Sequence, residues 1–236
     1  MNNIADVILT GSATGDKFGE SVSDAGDVNG DGYSDVIVGS RFNDFIAVDA
    51  GAAYIYFGGS SMNNTLDVTL TGEAANDYFG ISVSSAGDVN NDGFSDVIIG
   101  AHLNDAGGSS AGRAYLYYGG AVPDNYPDVT ITGSATNDYM GYSVSDAGDV
   151  NGDGFGDVIV GAYGNDVGGS SAGRAYIYYG GIVMNNSPNV TFTGESVFDY
   201  FGTCVSAAGD INGDGYGDVI IGSYNNDNAG INSGKS

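Results

Sequence analysis

Basic side chains are scarce in this sequence: 5 lysines and arginines stand against 30 aspartates and glutamates, for a net charge of −25 over 236 residues. Lys17, Arg41, Arg113, Arg174 and Lys235 are too few to neutralise phosphates. Nucleic acid and anionic membrane surfaces are therefore excluded as partners. A single cysteine, Cys204, excludes an internal disulfide, and its place in a strand-like segment reads as that of a small buried hydrophobe. The one histidine, His102, has no counterpart at the same place in other parts of the chain and no serine and aspartate at a spacing that would make a nucleophile. It is expected to be a solvated corner residue, and the chain is not expected to be an enzyme. No run of about 20 apolar residues is present, so membrane insertion through a helix is excluded. The stretch from Met1 to Asp6 lacks the basic and apolar regions of a secretory signal, which leaves a signal already removed or never part of this chain. Proline is scarce as well, at 3 residues, whereas glycine reaches 42, a balance that suits many tight turns between ordered strands. Apolar residues at 42% exclude general disorder.

What the chain does have is one acidic loop, four times. Asp27-Val-Asn-Gly-Asp-Gly-Tyr-Ser-Asp35 recurs from Asp88 to Asp96, from Asp149 to Asp157 and from Asp210 to Asp218, each start 61 residues after the last. Calcium takes six to eight oxygens at roughly 2.3–2.6 Å, and the pattern D-x-N-x-D-G-x-x-D offers them at alternate positions. The candidate ligands are Asp27, Asn29, Asp31, the Tyr33 carbonyl and Asp35 in the first loop. In the second they are Asp88, Asn90, Asp92, Phe94 and Asp96, and in the third Asp149, Asn151, Asp153, Phe155 and Asp157. The fourth has Asp210, Asn212, Asp214, Tyr216 and Asp218. Gly32 and its equivalents stand at the sixth position, where an EF-hand loop also needs glycine for a sharp turn. The twelfth position holds Val38, Ile99, Val160 or Ile221 instead of a bidentate glutamate, so the loop is expected between two strands. Without sulfur or imidazole, zinc and copper are disfavoured, and magnesium's demand for octahedral geometry makes it the weaker hard-ion candidate. Four Ca²⁺ ions per chain would bring the charge from −25 to about −17.

Four apolar segments recur with the same period and no insertion. The first is Val68 to Gly72, matched by Val7 to Gly11, Val129 to Gly133 and Val190 to Gly194. The second starts at Phe18-Gly19, Phe79-Gly80, Met140-Gly141 and Phe201-Gly202; the third is Asp35 to Gly39 and its equivalents; the fourth is Gly112 to Tyr118, matched at Gly51 and Gly173. All are short, rich in Val, Ile, Thr, Tyr or Phe, and bounded by Gly, Asn or Asp, which are strand signals. The fold class expected is all-β: a β-propeller of four-stranded antiparallel blades, one domain over 1–236 with repeats of about 1–61, 62–122, 123–183 and 184–236, the last incomplete.

The Phe-Gly start, the acidic loop and the Gly-Ala or Gly-Ser after it resemble FG-GAP repeats, as in the N-terminal propeller of integrin α subunits and related bacterial surface proteins. The resemblance covers essentially the whole chain. Where the family has Gly-Ala-Pro, this sequence has Arg41, His102, Tyr163 or Tyr224 in place of proline. The resemblance implies that the Phe-Gly strand is innermost, that the calcium loop joins strands one and two, and that Val-Thr-Leu-Thr is the outer strand. Val7 to Thr10 would then complete the blade formed by the C-terminal strands. Three arrangements fit the short last repeat: two chains forming an eight-bladed homodimeric ring, a self-closed four-bladed ring, or a piece of a longer propeller.

Function is read as that of a non-enzymatic adhesion or recognition scaffold, extracellular or at the cell surface, with a protein or glycan ligand. A lectin-like carbohydrate-binding propeller is the alternative, and a designed or minimal propeller without a natural ligand a third. Arg41, Phe42, Phe45, His102, Tyr163 and Tyr224, on the connections between strands two and three, form the candidate ligand surface, since aromatics and arginine are favoured at interfaces. The repeated pairs Asn43-Asp44, Asn104-Asp105, Asn165-Asp166 and Asn226-Asp227 are read as turn caps.

Overall fold

The computed structural model describes residues 5–236, and they are all-β with no helix among them. Three four-stranded antiparallel sheets and one two-stranded sheet follow one another along the chain. The first comprises β1 (Val22–Gly26), β2 (Asp35–Ser40), β3 (Ala52–Tyr56) and β4 (Val68–Thr71). The second comprises β5 (Ser82–Gly87), β6 (Asp96–Ala101), β7 (Arg113–Tyr117) and β8 (Val129–Thr132), and the third β9 (Ser143–Gly148), β10 (Asp157–Ala162), β11 (Arg174–Tyr178) and β12 (Val190–Thr193). The fourth has β13 (Cys204–Gly209) and β14 (Asp218–Gly222), with an antiparallel bridge from Ser223 to Lys235 where a third strand would begin. Within each sheet the strands pair in simple up-and-down order. A blade therefore borrows its outer strand from the next sequence repeat.

The sheets stack face to face, and this explains the strand composition. Every residue of β6 and β10 is buried, because each of these strands has a neighbouring blade on both faces, and the sequences Asp-Val-Ile-Ile-Gly-Ala and Asp-Val-Ile-Val-Gly-Ala are apolar throughout except at the first position. The core is accordingly split into three layers lying between successive blades. One layer joins Ile37, Ile55 and Leu70 to Val83, Ile99 and Tyr115; the next joins Ile98, Leu116 and Ile131 to Val144, Val160 and Tyr176; the third joins Ile159 and Ile177 to Val205 and Ile221. The innermost strands β1, β5, β9 and β13 lie against one another in that order, but β13 makes no comparable contact back to β1, and the ring is not closed.

Glycine permits the blades to approach this closely. A Cβ on Gly39, Gly100 or Gly161 would fall 2.1, 1.8 or 2.0 Å from the carbonyl oxygen of Gly80, Gly141 or Gly202 in the following blade. The Phe-Gly backbone of one blade thus rests on the end of strand two of the blade before it. Phe79 and Met140 are buried just ahead of their strands, Phe79 bridged to Gly51, so the Phe-Gly pair anchors the inner strand without being part of it.

Two expectations are corrected. Val7 to Gly11 forms no strand and joins no sheet, so the fourth sheet, with β13 and β14, does not gain the outer strand expected from it. Cys204 does begin a strand, but it is exposed and not buried, because no fifth blade face covers β13.

Candidate functional site

Each acidic loop is entered through a β-bulge. The register of β1 on β2 shifts so that Ala25 is the extra residue, and Ala86, Ala147 and Ala208 stand at the same place in the other three blades. The next residue is Gly26, Gly87, Gly148 or Gly209, at φ near 70° in all four, a left-handed conformation that bends the inner strand into the loop. At the sixth loop position Gly32, Gly93, Gly154 and Gly215 lie at φ 86–92°, and the chain turns back there toward strand two.

The first aspartate forms the hub of the loop. Asp27 Oδ1 accepts from the N–H groups of Gly30 (2.8 Å) and Asp31 (3.1 Å), and Oδ2 from Gly32 (2.8 Å); Asp149 and Asp210 make the same three bonds, and Asp88 makes those to Asp92 and Gly93. Asn29 Oδ1 accepts from Asp31 N–H, and its Nδ2 donates to Asp31 Oδ2. Asp31 Oδ1 accepts from Tyr33 N–H.

The ninth-position aspartate ties the loop to the blade. Asp35, Asp96 and Asp157 are fully buried. In the first blade Val28 N–H donates to Asp35 Oδ2 at 2.9 Å and Gly58 N–H to Oδ1 at 2.8 Å; Val89 and Gly119 serve Asp96, and Val150 and Gly180 serve Asp157. One carboxylate thereby joins the acidic loop to the turn after strand three. Asp218 keeps the bond from Ile211 N–H and is only half-buried. Burial pushes the carboxyls of Asp35 and Asp157 up and that of Asp96 up to about 7, with the two other loop aspartates adding to the effect in each case.

These loops contain the elements of an oxygen-donor site, yet no set of three carboxylate, imidazole or thiol side chains among the described residues is gathered closely enough to hold an ion. The carboxylates are turned to N–H groups of their own loops and, at Asp35, Asp96 and Asp157, of the turn after strand three as well. Each carboxylate oxygen has two acceptor positions, so those bonds leave oxygen capacity free on every aspartate. No basic side chain neutralises them either: the three ion pairs among the described residues, Arg41–Glu20, Arg113–Glu73 and Lys235–Glu195, all use glutamates away from the loops. The residues fit a hard cation in donor type and in unbalanced charge.

At the opposite end of strand two from the loops, the residues at the proline position meet side chains from the next blade. Arg41 lies over the Phe42 ring at 4.3 Å, and Phe42 packs edge-on against Tyr78 at 4.9 Å. From Tyr78 the contacts pass to His102, then to Tyr139 and Tyr142, to Tyr163, to Tyr200 and to Tyr224, each step 4.7–6.1 Å between centroids; Tyr139–Tyr163 and Tyr200–Tyr224 are stacked. The ribbon crosses all four blades. Tyr78, Tyr139 and Tyr200 sit at φ 53–57°, a strained conformation for a bulky residue, which aims their rings along it. These three tyrosines and Tyr142 are missed by reading the sequence from the strand-two ends alone, although the first three recur at the 61-residue period directly before Phe79, Met140 and Phe201. Phe45 is exposed and takes no part in any aromatic pair of the described residues.

His102 is not a solvated corner residue. It is 7% exposed beneath the flanking rings, its Nδ1 has no hydrogen-bond partner, and burial together with Arg41 lowers its pKa to about 4. The pairs Asn43-Asp44 and equivalents do cap turns: Asp44, Asp105, Asp166 and Asp227 each accept from the N–H five residues on. Their asparagines also bond a buried aspartate 27 residues earlier, Asp16, Asp77, Asp138 or Asp199, a second fourfold acidic position that loop spacing did not reveal.

Sheets of this order, stacked about a shared inner edge with loops between strands one and two, define a β-propeller. The FG-GAP repeat model matches residues 18–56, 79–117, 140–178 and 201–234, and the chain belongs to that family. It is 33% identical to integrin alpha-5 of Xenopus laevis over 193 residues, 77% of this chain and 18% of the integrin. Against integrin alpha-8 of Gallus gallus it is 30% identical over 221 residues, 88% of this chain and 20% of that one, and against integrin alpha-6 of Homo sapiens 30% identical over 162 residues, 68% and 14%. The chain thus spans a fifth or less of the length of these relatives.

Proposed function

We propose that this chain is a calcium-stabilised, non-enzymatic propeller acting as an adhesion or recognition scaffold at the cell surface or outside the cell. The observation that carries the reading is the acidic loop itself: four copies, three aspartates and a third-position asparagine in each, and no basic side chain paired to any of them among the described residues. Asp27, Asn29, Asp31, the Tyr33 carbonyl and Asp35, with their equivalents, would hold one ion per loop. A bound divalent cation supplies positive charge and oxygen coordination that cancels the repulsion among the loop carboxylates. The chain's own residues do the rest, Asp35 joining loop to blade and the loop setting the angle between strands one and two. Extracellular calcium is abundant enough for loop sites of modest affinity, and the integrin α relatives support a surface setting. The test is thermal unfolding with EDTA, calcium or magnesium: calcium should raise the midpoint well above the EDTA value and magnesium less, whereas three superimposed curves would remove the calcium reading.

The aromatic ribbon favours a second reading, a lectin-like face that stacks sugar rings against Tyr163, Tyr224 and their neighbours. A glycan array probed with the parent chain and with Arg41→Ala and Tyr163→Ala separates the two. Binding lost in both variants supports the carbohydrate face, and an array with no signal leaves a protein-directed scaffold.

A further inference from the structure

The boundaries between blades repeat one set of hydrogen bonds, three at each of the first two and two of these at the third. Between the first and second blades, Ser95 N–H donates to Asp27 C=O (2.9 Å), Gly120 N–H to Val28 C=O (2.8 Å) and Val83 N–H to Ser21 Oγ (3.0 Å). Between the second and third, Gly156 donates to Asp88, Gly181 to Val89 and Val144 to Ser82 Oγ. Between the third and fourth, Gly217 donates to Asp149 and Val205 to Ser143 Oγ. Moving this pattern on by one more repeat gives donors Ser34, Gly59 and Val22 on the free face of the first blade, and acceptors Asp210 C=O, Ile211 C=O and Cys204 Sγ on the free face of the fourth.

Burial marks the same two faces. Val22 is 65% exposed, whereas its equivalents Val83, Val144 and Val205 are 5% exposed. Ile211 is 77% exposed, whereas Val28 and Val89 are at most 2% exposed. A Cβ on Gly222 would meet nothing nearer than 3.6 Å, although its equivalents Gly39, Gly100 and Gly161 are pressed against the backbone of the next blade. Val22 and Gly222 keep the residue type of their equivalents and Ile211 keeps the apolar character, although no blade lies against them here. The two ends are the two halves of a boundary that forms three times inside the chain, and the open arc keeps them from meeting each other.

We infer that these faces are covered by a second copy of this chain, the first blade of each copy docking on the fourth blade of the other to close an eight-bladed ring with two identical junctions. A head-to-tail contact of this kind closes when the rotation per unit allows it, and eight blades lie within the known range of propellers. Cys204 stands where Ser21, Ser82 and Ser143 accept at the other junctions, with its thiol opposite Val22 N–H of the partner.

The test uses the full chain in calcium. Light scattering should give twice the chain mass. Val22→Asp and, separately, Ile211→Asp should weaken association at least about a hundredfold, since either would bury an unpaired charge at the junction. Both side chains are exposed in the single chain, so the circular dichroism spectrum should not change. Val22→Cys should form a disulfide with Cys204 under mild oxidation, yielding a covalent two-chain species. A single-chain mass for the parent protein at about 100 µM, well above the Kd of a stable dimer, would overturn the inference. So would a Val22→Cys disulfide formed within one chain, because it would show that the four blades close on themselves.

Discussion

At the ninth position of each acidic loop a carboxylate is asked to do two things, and the first three blades show how. Asp35, Asp96 and Asp157 hold two backbone N–H groups apiece while buried beside two further aspartates. The exposed aspartates at the fifth loop position carry less of the fold. Asp31→Ala is expected to weaken one of four calcium sites at least tenfold, a loss of about 1.4 kcal/mol of linked stability, while changing the melting temperature little in EDTA. Equal losses with and without calcium, read by differential scanning calorimetry, would show that Asp31 serves only its loop. His102 gives a second prediction. Burial holds it neutral down to about pH 4, so the unfolded chain, with an ordinary histidine near 6.5, binds more protons between those values. Stability from this residue is therefore complete above pH 6.5 and is lost as pH falls toward 4, by up to about 3 kcal/mol. His102→Phe should flatten that part of the pH–stability curve measured by urea unfolding. The burial of His102 was not legible in the sequence because the tyrosines that cover it, Tyr139 and Tyr142, lie 37 and 40 residues away and come from the next blade.

Among the elements, strand two was the most legible. Its run of Val and Ile from an aspartate to a glycine reads as a strand, and it forms one in every blade; that β6 and β10 are covered on both faces is seen only in the fold. The glycine that ends it is explained only by its neighbour. Gly100→Ala would drive a Cβ to 1.8 Å from the Gly141 carbonyl oxygen, so the blades must part, at an expected cost of 3 kcal/mol or about that. Gly120→Ala has nothing within 4 Å and should stay within about 0.5 kcal/mol; chemical denaturation of the two variants side by side checks the contrast. The segment from Val7 to Thr10 shows the converse. It has the residues of an outer strand, but pairing depends on an available edge, which local sequence does not report.

For the molecule as a whole, repetition made the architecture readable: a fixed period of 61 residues, four segments in each, and an acidic loop always between the first two strands. The aromatic ribbon and the buried aspartates at Asp16, Asp77, Asp138 and Asp199 were harder to find, since each depends on side chains brought together across turns or blades. Net charge adds a prediction at this scale. With −25 on the chain and no metal, self-repulsion should make stability rise with sodium chloride in EDTA, and calcium should diminish that dependence. Melting temperatures at low and high salt, with and without calcium, measure it directly.

The most direct test of the calcium account is a calorimetric titration of the EDTA-stripped chain with calcium, followed by a melting curve of the product. The account predicts four ions bound per chain and a raised melting temperature. Absence of binding heat together with an unchanged melting temperature would contradict it.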